Sequence, residues 1–105
     1  MRVVLYWHGG KIENDFHVFV HLTEADGRVV AQNDSVPVEG TYPTSAWKPG
    51  ELIVDSYEIK TDAAGVFQIV TGMYDPNTNV RVPAFSPGGA RYSDDRVLLT
   101  PITLP

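Results

Sequence analysis

Hydrophobic and polar residues alternate along several short stretches of the chain, with the period of two that is typical of β-strands. The clearest stretch covers residues 16–23. Its alternation predicts a core face made of Phe16, Val18, Val20 and Leu22. The opposite face carries His17, Phe19, His21 and Thr23. An Asp26-Gly27 pair follows, and this pair favours a tight hairpin, so we expect residues 28–32 to return antiparallel.

Five other stretches have strand character: residues 3–7, 52–59, Gly65–Tyr74, 80–82 and Val97–Leu104. Turn-forming residues separate them, and no segment has the period of a helix. We therefore predict an all-β fold, an antiparallel β-sandwich of about seven strands, either immunoglobulin-like or jelly-roll. Pro101 places the last strand at a sheet edge, because proline cannot donate a ladder hydrogen bond.

The choice between these two sandwich types requires the strand order, which the sequence does not give. The immunoglobulin disulfide is absent because the chain has no cysteine. The tyrosine-corner position is half matched: Asp62, Gly65 and Phe67 have the right spacing, but Phe67 lacks the hydroxyl group.

Residues 33–50 lack periodicity and contain three of the eight prolines, which predicts a long connection between strands. Trp47 lies between two of these prolines and has two interpretations. It either plugs one end of the core, or it offers a flat aromatic face to a ligand. The connection leads into residues 52–59, where Asp55 alternates with Ile53 and Tyr57. We therefore expect Asp55 on the core face, accepting hydrogen bonds from backbone amides of residues 44–47.

The chain has 105 residues, a hydrophobic fraction of 43% and a formal net charge of −5, which predicts one globular domain covering residues 1–105. Its eight Lys and Arg residues are scattered, which argues against a nucleic-acid surface. No apolar run approaches the roughly 20 residues of a transmembrane helix. A strand begins almost at the first residue, so we expect a piece excised from a longer protein.

Four segments, taken in order, carry a resemblance: residues 19–22, residues 26–34, the Tyr-Pro-Thr-Ser-Ala-Trp-Lys-Pro-Gly-Glu string at residues 42–51, and residues 72–75. Together they resemble a β-sandwich domain at the extracytoplasmic C-terminal end of some bacterial multi-spanning membrane proteins of the glycosyltransferase type. The resemblance implies a non-catalytic accessory domain outside the membrane. It brings no known binding residues.

Two groups of residues have the types that bind metal ions, a pair of histidines and a set of calcium-type ligands. His17 and His21 share a strand face, but at ~3.3 Å per residue their Cα atoms lie about 13 Å apart, too far to share one ion. Asp75, Asn77 and Asn79 follow the start of an EF-hand spacing, which then fails at Val80. A hairpin turn explains the same residues, so we predict no metal site and no cofactor. Calcium held by another loop, such as Asp94-Asp95, is the alternative.

Enzymatic chemistry has little support in the sequence. The spacing of Asp34, Asp55 and Asp75 selects no acid and base pair, and no nucleophile or phosphate-binding motif is present. We therefore expect a non-catalytic module whose partner is a glycan or a neighbouring domain. The candidate ligand-binding residues are the aromatic residues Tyr42, Trp47 and Tyr74. The alternative is a purely structural or protein-interaction domain without a small ligand.

Overall fold

The computed structural model describes all 105 residues and contains six β-strands. The strands are β1 (Arg2–His8), β2 (His17–Thr23), β3 (Val29–Ser35), β4 (Leu52–Glu58), β5 (Gly65–Tyr74) and β6 (Val97–Leu104). Two short 3-10 turns, Thr44–Ala46 and Ser93–Asp95, complete the regular structure. No helix is long and apolar enough to cross a membrane. The predicted all-β class is confirmed.

The predicted seventh strand at residues 80–82 does not form. This segment makes only one isolated bridge, between Tyr74 and Arg81. Two bonds form it, from the Val82 amide to the Met73 carbonyl and from the Asp75 amide to the Val80 carbonyl. Pro83 follows directly, and because proline has no amide hydrogen the ladder cannot continue there. The strand count is therefore six rather than seven.

The strands form two antiparallel sheets, one of two strands in the order β1-β4 and one of four strands in the order β3-β2-β5-β6. The position of β6 at the end of the larger sheet confirms the edge predicted from Pro101. The hairpin of β2 and β3 is also confirmed, although β3 runs on to Ser35, beyond the predicted residue 32. This extension places Asp34 directly beside Phe19.

The core lies between the inner faces of the two sheets. Val18, Val20 and Leu22 of β2 are fully buried there, as their alternation predicts. Phe16, also predicted for this face, lies outside β2 and is only half-buried. The remaining members of the core cluster come from the other strands and the residue that follows β4: Val3, Leu5, Tyr57, Ile59, Phe67 and Ile69.

The second face of β2 is buried as well, which the sequence pattern did not indicate. Phe19 is only 1% exposed although it points away from the core. The connection between β5 and β6, residues 75–96, folds over this outer face and places the Arg81 guanidinium 4.5 Å from the centre of the Phe19 ring. Gly72 lies beneath the same ring, where an added Cβ would meet Phe19 atoms at 2.6 Å. The outer face of the larger sheet is thus partly covered.

Candidate functional site

The loop that carries Tyr42 and Trp47 closes one end of the core. Trp47 is 6% exposed, its ring packs 6.1 Å from that of Trp7, and its indole Nε1 donates to the Tyr42 carbonyl at 3.1 Å. The Tyr42 hydroxyl donates to Glu51 at 2.6 Å, which lowers the pKa of Glu51 and raises that of Tyr42. This geometry agrees with the plug interpretation of Trp47, because the indole has no open face.

Asp55 lies on the core face with no exposed surface, as the alternation of β4 predicts. Its carboxylate accepts hydrogen bonds from the Val38 amide at 2.7 Å and from the Trp7 indole at 3.1 Å. The predicted donors in residues 44–47 are therefore wrong. The donor Val38 belongs to an earlier part of the same connection, where its φ of 57° turns the chain sharply. We refer to Asp55, Val38 and Trp7 as the Asp55 cluster.

A second polar cluster lies on the outer face of the larger sheet. Its cavity has a volume of about 160 Å³, and we name it the outer-face pocket. The pairing of β2 with β3 and β5 sets Asp34 and Gly72 on either side of Phe19. Asn79 and Arg81, which follow β5 in the chain, form the opposite wall of the pocket. The residues that line the outer-face pocket are Phe19, His21, Asp34, Tyr74, Asn79 and Arg81.

Three polar atoms of the outer-face pocket have no hydrogen-bond partner within the chain. His21 is 8% exposed, yet neither of its ring nitrogens makes a hydrogen bond, and the buried Oδ1 of Asp34 makes none either. His21 Nε2 and Asp34 Oδ1 lie 3.5 Å apart, which is within ion-pair distance but too long for a good hydrogen bond. Buried polar groups are normally satisfied, so these unpartnered atoms mark the pocket as a place where a polar ligand would gain bonds.

Aromatic rings surround these polar groups. The Phe19 ring lies 4.9 Å from His21 and 6.4 Å from Tyr74, between ring centres. The hydroxyl of Tyr74 is 3.5 Å from His17 Nδ1. Burial raises the pKa of Tyr74, and the nearby Asp34 carboxylate raises it further. Arg81 is held in place by its bond to the Asp94 carbonyl at 3.0 Å.

The three residues predicted to bind a ligand separate into two places. Tyr42 and Trp47 contact each other in the loop, whereas Tyr74 lines the outer-face pocket. Ligand binding by any of them stays a prediction. The proximity of His21 and Asp34 was not among the predictions from the sequence. Continuing the predicted hairpin past residue 32 would have paired Phe19 with Asp34 and revealed it.

The residues considered as metal ligands make ordinary structural contacts instead. His17 stands edge-on to the Tyr74 ring at 5.6 Å, and no group of three or more potential metal-ligating side chains gathers anywhere in the chain. Asp75 accepts the Asn77 amide at 2.8 Å, and the φ of Asn79 is 60°. These features are typical of a tight turn stabilised by an aspartate side chain.

Comparison with known proteins gives no relative: no family model, no curated protein and no solved structure matches this chain.

Proposed function

We propose that this chain is a non-catalytic accessory module that binds one sugar unit of a glycan in the outer-face pocket. The observation that carries the proposal is the set of unpartnered buried atoms, both His21 nitrogens and Asp34 Oδ1, beside the rings of Phe19 and Tyr74. Sugar hydroxyls both donate and accept hydrogen bonds, and the C–H face of a sugar ring packs against aromatic rings. A carboxylate, an imidazole and two aromatic rings suit both requirements.

The size of the outer-face pocket supports a small ligand group. Its volume of about 160 Å³ is below the roughly 300 to 1,000 Å³ of sites that enclose drug-sized molecules. One ring of a longer chain would enter, and the rest would lie outside. Asn79 at the rim is exposed and available to contact the neighbouring unit.

The proposed setting is the exterior of a bacterial cell, as part of a membrane-anchored or secreted protein. It rests on the sequence resemblance to accessory domains of glycosyltransferase-type membrane proteins. We further propose that the sandwich is of the immunoglobulin-like kind. The order β3-β2-β5-β6 opposite β1-β4 corresponds to C′-C-F-G opposite B-E, with strands A and D of that fold having no counterpart. Phe67, which has the tyrosine-corner spacing, then lies in the strand expected for it.

The experiment is a calorimetric titration of the protein with a panel of neutral and acidic monosaccharides and short oligosaccharides. We expect saturable heat with at least one sugar and about a tenfold loss of affinity in Asp34→Asn, where a charge-assisted hydrogen bond is lost. Asp62→Asn, an exposed carboxylate outside the pocket, is the matched control and should bind like the wild type. Absence of heat with every sugar at millimolar concentration, or equal affinity in Asp34→Asn, would overturn the proposal.

The second candidate is a protein-interaction domain. It is favoured by the outward face of the smaller sheet, where four apolar side chains stand close to one another and exposed: Val4, Tyr6, Leu52 and Val54. Contiguous exposed apolar surface of this kind is typical of a contact with another protein. Replacing Tyr6 and Leu52 with serine should leave stability unchanged within about 0.5 kcal/mol in urea unfolding, because neither side chain contributes to the core.

A further inference from the structure

A second cavity adjoins the outer-face pocket. It has a volume of about 320 Å³, and we name it the turn cavity because part of its wall comes from the turn that follows β5. Its lining includes Phe16, Asp75, Thr78, Val80, Arg81 and Pro83. Arg81 also lines the outer-face pocket, and no other residue lines both cavities. The two cavities therefore meet at the Arg81 side chain.

Residues 78–80 form a ridge between the two cavities. Asn79 lines the outer-face pocket, whereas its neighbours Thr78 and Val80 line the turn cavity. The Asn79 amide donates to the Asp75 carbonyl at 2.7 Å, and the Val80 amide donates to the Thr78 hydroxyl at 3.2 Å. These hydrogen bonds hold the ridge in place, so the positions of the two cavities are set before a ligand arrives.

Arg81 has unused hydrogen-bond donors at this boundary. A guanidinium group has five N–H donors, and within the chain Arg81 makes one hydrogen bond, from Nη1 to the Asp94 carbonyl. No carboxylate lies within ion-pair distance of it. Its position is nevertheless fixed, because the guanidinium also lies over the Phe19 ring. A ligand that passes from one cavity to the other therefore meets donors that are already in place.

The lining of the turn cavity combines apolar and polar groups. Phe16 is half-buried and Val80 is exposed, so both present apolar surface that a ligand can reach. One carboxylate oxygen of Asp75 accepts the Asn77 amide at 2.8 Å, and the other makes no hydrogen bond within the chain. A sugar ring combines the same two kinds of surface, since its C–H face is apolar and its hydroxyls donate and accept hydrogen bonds.

We propose that the glycan is recognised through two linked sugar units, the first in the outer-face pocket and the second in the turn cavity. The linkage between them crosses Arg81, whose unused N–H groups donate to oxygen atoms at the linkage. The second ring packs against Phe16, and one of its hydroxyls donates to Asp75. The ligand class is thus an oligosaccharide rather than a single sugar. This inference rests on the proposed function, because it places the first unit in the same pocket.

The test compares sugars of increasing length by calorimetric titration. The probes are glucose, N-acetylglucosamine, mannose and galacturonic acid, each as the monosaccharide, the disaccharide and the trisaccharide. In the series that binds, the disaccharide should bind about tenfold more tightly than the monosaccharide, because ring packing and a hydrogen bond are added. The trisaccharide should show no comparable further gain, since both cavities are then filled.

Two variants of the turn cavity should remove the gain with length. Phe16→Ala deletes the aromatic ring, and Val80→Lys replaces an apolar wall with a long charged chain. In each, the ratio of disaccharide to monosaccharide affinity should fall to about one. Val80→Lys keeps the test valid even where Phe16→Ala fails to fold, because Val80 is 65% exposed and lies outside the core cluster.

Matched controls make the same replacements at exposed positions outside both cavities. Phe85→Ala and Val66→Lys should keep the wild-type ratio. Equal affinity for monosaccharide and disaccharide, an unchanged ratio in Val80→Lys, or an equal fall in Val66→Lys overturns the second sugar site and leaves the outer-face pocket as the site of a single sugar. Absence of binding with every probe at millimolar concentration overturns this inference and the proposed function together.

Discussion

Two aspartates of the chain have very different surroundings. Asp55 has no exposed surface, and its two oxygens each accept a hydrogen bond from within the protein. Asp34, on the outer face of the larger sheet, has a buried oxygen without a partner and a histidine 3.5 Å away that is equally unpartnered. Both clusters combine a carboxylate with aromatic rings, so composition alone does not separate them.

The difference lies in what the surrounding chain supplies. Val38 adopts a φ of 57°, a conformation unfavourable for a β-branched residue, while its amide bonds Asp55. No backbone amide donates a hydrogen bond to Asp34 Oδ1 in this way. A carboxylate with its partners inside the fold is a structural element, whereas the missing partner of Asp34 Oδ1 is what supports the proposed ligand pocket.

Asp55→Ala is the substitution that should have the largest effect on stability. The substitution leaves the Val38 amide and the Trp7 indole unpartnered in a buried place, so the free energy of unfolding should fall by about 3 kcal/mol. For a domain of about this size, a loss of that magnitude lowers the melting temperature by more than about 10 °C. Urea unfolding gives the value, with exposed Asp62→Ala as the control. An unchanged midpoint would show that the Asp55 cluster does not stabilise the fold.

The floor of the outer-face pocket gives the next largest effect. A Cβ at Gly72 would lie 2.6 Å from the Phe19 ring and 2.9 Å from the Asp95 carbonyl oxygen. Gly72→Ala should therefore lower the free energy of unfolding by about 1 to 3 kcal/mol through overpacking. Gly10→Ala is the matched control, since nothing lies within 4 Å of its added carbon. Equal stability of the two variants would mean that the Phe19 ring and the Asp95 carbonyl move aside without a cost in stability.

His21→Leu tests the absence of partners directly. Because neither ring nitrogen is hydrogen-bonded, an apolar side chain loses no hydrogen bond and can still pack against Phe19, so the free energy of unfolding should change by less than about 1 kcal/mol. The neighbouring Thr71 provides the contrast, since its buried hydroxyl donates to the Phe19 carbonyl at 2.8 Å. Thr71→Val should therefore cost about 1 kcal/mol. A loss for His21→Leu larger than that for Thr71→Val would contradict the interpretation of an open pocket.

The smallest effect concerns acid and the segment that covers the outer face. Arg91 and the Ala84 amide bind the Asp95 carboxylate and lower its pKa to about 2. Since the folded pKa lies below the unfolded value of about 3.9, the stabilisation is fully present above that pH and is lost as the pH falls toward 2. Asp95→Asn should thus be less stable than the wild type at pH 6, with the gap closing by pH 2 in thermal melts. A gap that persists at pH 2 would exclude the charge as its cause.

The alternation of apolar and polar residues is sufficient to predict much of the fold and the burial of Asp55. The period of two in β4 puts Asp55 on the same face as Ile53 and Tyr57, and burial follows from that fact alone. The hairpin of β2 and β3 follows equally from the Asp26-Gly27 turn. Both features depend only on residues close together in the chain.

Alternation does not predict which segments come together when they are far apart in the sequence. Val38 lies in a connection without period, so its role as the donor to Asp55 depends on how that connection crosses the sandwich. The outer-face pocket requires the pairing of β2 with β5 and the fold-back of residues 75–96. Arg81 reaches Phe19 only once that pairing and that fold-back have formed. The local Val80-Arg81-Val82 pattern by itself predicts a strand instead.

Pro101 has a consequence for how this protein behaves at high concentration. Fibres that grow by strand addition require each unit to accept a strand on one edge and offer a strand edge on another. Here Pro101 removes a hydrogen-bond donor from the outer edge of β6, whereas β3 at the opposite edge of the same sheet contains no proline. Two units that paired through β3 could not add a third through the larger sheet, because the β6 edge disfavours pairing. Fibres that continue through the larger sheet should therefore not form in concentrated solutions, which thioflavin fluorescence would show.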